Sequence, residues 1–66
     1  MAIYHIVSGK IEENINAATR IQAAKRFVKR WNDNDLGLIM SVRDSDGFES
    51  YFYTKTISEL EYLSVA

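Results

Sequence analysis

Five basic residues, Arg20, Lys25, Arg26, Lys29 and Arg30, stand between Asn14 and Asn32 without one acid among them, although the chain as a whole carries nine acids against eight bases. Several cations on one rigid element can neutralise nucleic-acid phosphates and release their counterions, which makes these five the phosphate-contact candidates. The same pattern describes a solvated helix face, because Lys and Arg are strong helix formers. The sequence pI of 5.7 also lies far below the value above about 9 usual in a dedicated nucleic-acid domain. An acidic protein partner would satisfy the same charges.

Little else in the chain has the spacing that catalysis or metal binding needs. His5 is the single histidine and falls in a strand-like segment, so it forms no metal cluster by itself. Glu12 and Glu13 are adjacent on a candidate strand and therefore point to opposite faces, which prevents a carboxylate dyad. The runs Asp33-Asn34-Asp35 and Asp44-Ser45-Asp46-Gly47 have acids at alternate positions, but neither continues to the twelfth-position Glu of a calcium loop. Helix termination and a hairpin turn explain them better. Gly9, Gly37 and Gly47 are isolated rather than gathered into a phosphate loop. A core this small rarely encloses the several hundred Å³ of a ligand site. The expectation is a protein with no catalytic residues, no metal, no cofactor and no small-molecule substrate.

The elements that position the cations follow from periodicity. Ala2 to Val7 is rich in Ile, Val and Tyr and runs into Ser8-Gly9, a hairpin-turn candidate. Lys10 to Ala17 reads as a second, edge strand, because its charges discourage further pairing. Thr19-Arg20-Ile21-Gln22 fits a helix capping box, with Asn16 as the alternative cap. Ala17, Ile21, Ala24, Phe27, Val28 and Trp31 then recur at three- and four-residue spacing as one apolar stripe, with the cations opposite. Asn32 to Asp35 ends the helix, and Lys29 and Arg30 suit the negative end of its dipole.

A second hairpin follows. Leu36 to Arg43 reads as a strand in which Leu38, Met40 and Val42 share a face, and Asp44 to Gly47 supplies the turn. Phe48 to Thr56 would return with Phe48, Ser50, Phe52 and Thr54 on one side and Glu49, Tyr51, Tyr53 and Lys55 on the other. The tail from Ile57 to Ala66 is either a short helical turn or an extended arm. The fold class expected is α+β, a small antiparallel sheet in ββαββ or βαββ order with one amphipathic helix packed on one face.

One helix covers one side of such a sheet, so the other side meets water or a partner. If Phe48 and Phe52 join Leu38, Met40 and Val42 under the helix, Tyr51 and Tyr53 project from the bare side together with Ile39, Ser41 and Arg43. Ile39, Arg43, Tyr51 and Tyr53 are therefore the protein-interface candidates, of residue types that interfaces favour. Exposed tyrosines also stack on nucleobases, worth about 1–3 kcal/mol per base. They are equally at home half-exposed in any strand.

The stretch Gln22-Ala23-Ala24-Lys25-Arg26-Phe27, following a hydroxyl cap and preceding two strands around an acidic glycine-containing turn, resembles small proteins encoded by large DNA viruses and marine phages. In that group an Ala-Ala-Lys-Lys-x-Phe-like helix follows one hairpin and precedes another that ends in tyrosines. The resemblance covers Thr19 to Tyr53 and implies a viral context rather than an activity. This chain departs from the group in its acidic balance, which argues against DNA packaging.

Sixty-six residues make a single domain, 1–66, and so short a chain buries only about 60% of its unfolded surface, which favours a dimer as a source of further burial. The absence of cysteine excludes disulfides and thiolate chemistry and fits a reducing compartment. No basic residue precedes the apolar start and no small-residue cleavage site follows it, and no run approaches the roughly 18 apolar residues of a membrane span. The sequence thus leads to a cytoplasmic interaction or assembly module, in the host cytoplasm if viral. Its expected partner is a second copy or another protein, and nucleic acid is the alternative.

Overall fold

The computed structural model describes the backbone of residues 2–31 and 35–65, and the side chains of residues 2–31 and 35–60. Asn32, Asp33 and Asn34, expected to end the helix and to form most of one acidic run, lie outside the described residues, as do Met1 and Ala66. The elements run β1 (Ala2–Ser8), β2 (Ile11–Ala17), α1 (Arg20–Arg30), β3 (Ile39–Arg43), β4 (Glu49–Tyr53) and α2 (Thr54–Val65). The strands form one antiparallel four-stranded sheet in the order β2-β1-β3-β4. This is the expected α+β class, and Lys10 to Ala17 does contribute an edge strand.

Both helices lie on one side of the sheet. Register places Tyr4, Ile6 and Ser8 of β1 on that side with Ile15 and Ala17 of β2, Met40 and Val42 of β3, and Phe52 of β4. Ile6, Met40 and Val42 are fully buried there against Ala23, Ala24 and Phe27 of α1 and Ile57 of α2. Alanine at 23 and 24 lets the α1 backbone approach the sheet closely while Phe27 fills the interior.

Thr19 caps α1 as expected: its hydroxyl accepts from the Gln22 N–H at 3.1 Å. The Gln22 carboxamide oxygen reaches back to the Ala18 N–H at 2.7 Å, one residue before the cap itself. The buried stripe is turned from the expected one. Ala23, Ala24, Phe27 and Val28 are inside, whereas Ile21 is 38% exposed. The inward position of the first turn belongs to Arg20, for a reason that appears in its contacts below.

Three further expectations are corrected. Leu38 does not share the core face with Met40: β3 begins at Ile39, and Leu38 precedes it with 88% of its surface exposed. Phe48 does not lie under the helix either; it precedes β4 and is 68% exposed, because it stacks on Arg20 instead of joining the core. The last strand stops at Tyr53, and the tail is a helix that starts at Thr54 without a linker. Thr54 makes the switch possible. Its N–H gives the last ladder bond to the Leu38 carbonyl at 3.0 Å, while its hydroxyl donates to the Gly37 carbonyl at 2.7 Å.

The first turn and the start of the second hairpin are locked together at Gly9 and Gly37. A Cβ on Gly37 would stand 2.8 Å from the backbone nitrogen of Gly9, and one on Gly9 would stand 2.8 Å from that of Gly37. Two backbones can approach so closely only where neither residue has a side chain. Ser8, also buried, accepts the Gly37 N–H at 3.0 Å beside this contact.

Candidate interaction face

Neither helix covers the reverse of the sheet. Cross-strand register arranges its side chains in rows: Asn14, His5, Arg43 and Glu49 in one, and Glu12, Val7, Ser41 and Tyr51 in the next. Ile39 and Tyr53 pair beyond these at the far end, and Ile3 and Asn16 pair at the near end. Tyr51 is 66% and Tyr53 69% exposed, and Ile3 and Ile39 each expose more than half of their surface. The structure therefore brings all four interface candidates, Ile39, Arg43, Tyr51 and Tyr53, onto one open face, with an aromatic end on β3 and β4 and a polar end on β1 and β2.

The polar end is internally organised. His5 Nδ1 lies 2.8 Å from the Asn14 side-chain oxygen and Nε2 lies 3.3 Å from the Glu12 carboxylate, so one imidazole joins two residues of the neighbouring strand. Arg43 is exposed next to His5 and makes no ion pair among the described residues. At the aromatic end the Tyr51 hydroxyl donates to Glu49 at 3.1 Å. That hydrogen bond, then the negative charge of Glu49 and a smaller effect of burial, raise the Tyr51 phenol above its ordinary pKa.

The five phosphate-contact candidates do not form a common free surface. Arg20 points inward: it donates to the Val42 carbonyl at 2.9 Å, the Phe48 carbonyl at 2.9 Å and the Asp44 carboxylate. Its guanidinium also sits 5.8 Å from the Tyr4 ring centroid and 5.1 Å from that of Phe48. Arg26 donates to the Asn16 carbonyl, and Arg30 pairs with Glu13 at 3.3 Å. Only Lys25 and Lys29 have no hydrogen-bond or ion-pair partner among the described residues. The sequence could not reveal this, since the acceptors are mostly backbone carbonyls set by the tertiary fold.

Asp44 takes the role that the sequence assigned to the whole acidic turn. One of its oxygens accepts from the Asp46 N–H at 3.0 Å and the Phe48 N–H at 2.9 Å, and the other accepts from Arg20. Glu12 and Glu13 do point to opposite faces, as alternation requires: Glu12 reaches His5, and Glu13 receives Arg30 and the Trp31 indole N–H.

The surface also carries open grooves that the size argument did not anticipate. One of about 660 Å³ runs along Leu36, Gly37, Leu38, Tyr53, Thr54 and Lys55, and another of about 560 Å³ lies among Ile3, His5, Asn14, Arg43 and Ser45. Both are surface depressions rather than enclosed cavities. Among the described residues no three His, Cys, Asp or Glu side chains are grouped as metal ligands, and no helix is long and apolar enough to cross a membrane. No protein-family model matches the chain, and neither a curated protein nor a solved structure matches it.

Proposed function

We propose that the protein is a small non-enzymatic interaction or assembly module that self-associates or docks on a protein partner, with Ile39, Arg43, Tyr51 and Tyr53 of the open sheet face as its contact residues. The observation that carries this reading is the placement of α1 and α2 on one side of the sheet, which leaves two tyrosines and two isoleucines exposed together on the other. Large amphipathic rings with few rotatable bonds lose little entropy on ordering and are favoured at interfaces. A reducing cytoplasm, of a host cell in the viral setting that the resemblance implies, is the proposed location.

Size-exclusion chromatography with mass detection tests the reading. The expected result is a dimer at micromolar concentration that Tyr53→Ala dissociates without lowering the melting temperature. A strict monomer removes self-association, and a large loss of melting temperature in the variant gives Tyr53 a folding role instead. The same experiment with mixed-sequence nucleic acid separates the alternative class. Phosphate binding through Lys25 and Lys29 would weaken steeply with salt, whereas a tyrosine-centred interface should change little.

A further inference from the structure

The two edges of the sheet are not equivalent, and the difference follows from ladder parity. The bonds from the Thr54 N–H to the Leu38 carbonyl and from the Asp44 N–H to the Phe48 carbonyl, 3.0 Å each, turn Phe48, Ser50, Phe52 and Thr54 toward β3. Glu49, Tyr51 and Tyr53 must then direct their N–H and C=O groups away from the sheet, three donors and three acceptors along the free edge of β4. Carrying the same alternation through β3 and β1 makes Glu12, Asn14 and Asn16 the outward residues of β2. There the Asn16 carbonyl already accepts from Arg26, so that edge is partly blocked. Among the described residues no side chain bonds the outward backbone groups of β4.

We infer that β4 pairs antiparallel with β4 of a second copy across a two-fold axis centred on Tyr51, joining two four-stranded sheets into a continuous one. The inference rests on the self-association proposed above and assigns it to the β4 edge, which leaves the open face for docking on a protein partner. A register with Tyr51 opposite the partner's Tyr51 sets each Glu49 opposite the partner's Tyr53. All three such pairs are of the hydrogen-bonded kind, so every outward N–H and C=O of Glu49, Tyr51 and Tyr53 finds a partner. A register centred on Ser50 or Phe52 would pair only two of these three residues in each strand and leave the third unpaired, four bonds in place of six, so the Tyr51-centred register satisfies the most.

Side-chain chemistry agrees with the backbone. The two Tyr51 residues meet across the axis with Cα atoms about 5.5 Å apart, close enough for their rings to pack. The two Glu49 carboxylates lie at opposite ends of the pair, away from each other, and each faces a tyrosine that carries a hydroxyl donor. The contact is isologous, so it closes at two copies. Edge pairing keeps α1 and α2 of both copies on one side and leaves the tyrosine face of the joined sheet continuous and exposed. A face-to-face dimer would bury that face.

Amide hydrogen exchange on the full chain, at concentrations below and above the dissociation midpoint found by mass detection, tests the geometry. The expected result is a slowing on the order of tenfold or more at the Tyr51 and Tyr53 amides in the dimer, with the Glu12, Asn14 and Asn16 amides unchanged. A dimer in which Tyr51 and Tyr53 exchange as fast as in the monomer overturns the pairing while leaving self-association standing. A monomer at all concentrations overturns both. Tyr51→Pro gives an independent check, because the amide it deletes points away from β3 and the internal ladder survives. It should weaken dimerisation at least tenfold more than Tyr51→Ala, which keeps that N–H, with both variants folded by circular dichroism. Equal weakening by the two variants overturns the pairing.

Discussion

Arg20 decides the local order at one end of the molecule. A guanidinium offers five donors in a planar fork, and here the fork is shared among two backbone carbonyls and the Asp44 carboxylate while its faces meet two aromatic rings. An ammonium would reproduce the charge but not the fork. Arg20→Lys is therefore expected to cost about 1–3 kcal/mol, since it leaves partly buried carbonyls and Asp44 underbonded. A thermal melt unchanged from the parent would show that this cluster does not contribute to stability. Tyr51 gives a second residue-scale outcome. Because Glu49 holds its phenol above the ordinary value, Tyr51 should ionise at a higher pH than a free tyrosine does. Glu49→Gln removes the charge and should bring Tyr51 back toward the ordinary tyrosine value, which ultraviolet difference titration would resolve.

At the scale of elements, the hairpin β1–β2 and the start of β3 are fastened by backbone proximity rather than by large side chains. The Gly9–Gly37 contact leaves no room for a methyl group, and the obstructing atoms belong to backbone that cannot swing aside. Gly37→Ala is expected to destabilise by about 1–3 kcal/mol, as overpacking does, and to lower the melting temperature by roughly 4–8 °C per kcal/mol for a domain of this size. The abrupt junction between β4 and α2 has a similar logic. Ser8, Gly37 and Thr54 form one buried hydrogen-bonded group, so the last strand bond and the first helical turn are held by the same few residues. A melt of Gly37→Ala that matched the parent would mean that this junction relaxes freely.

For the whole molecule, the arrangement of layers is what gives the face its meaning. A sheet with both helices on one side has a core only on that side, and a domain of 66 residues is stable by only about 3–10 kcal/mol at the usual 0.05–0.15 kcal/mol per residue. Any surface buried by association therefore adds appreciably to what holds the fold. The dimer expected by mass detection should accordingly melt at higher temperature as protein concentration rises. Melting independent of concentration would mean that association buries no such surface.

The pattern of the sequence determined the element types: alternation and β-branched residues made the strands, and three- and four-residue recurrence made α1. The Thr19 cap and the bare side carrying Ile39, Arg43, Tyr51 and Tyr53 were legible for the same reason, because a strand period of two assigns faces once one residue is known to be inside. The tertiary structure alone decided which charged side chains are free. Arg20, Arg26 and Arg30 find their partners on segments distant in sequence, and no local period encodes a guanidinium's preference for the backbone carbonyls of another element. It also decided the fates of Leu38, Phe48 and the tail. Each lies at a strand end, where hydrogen bonding and packing across the sheet outweigh local propensity.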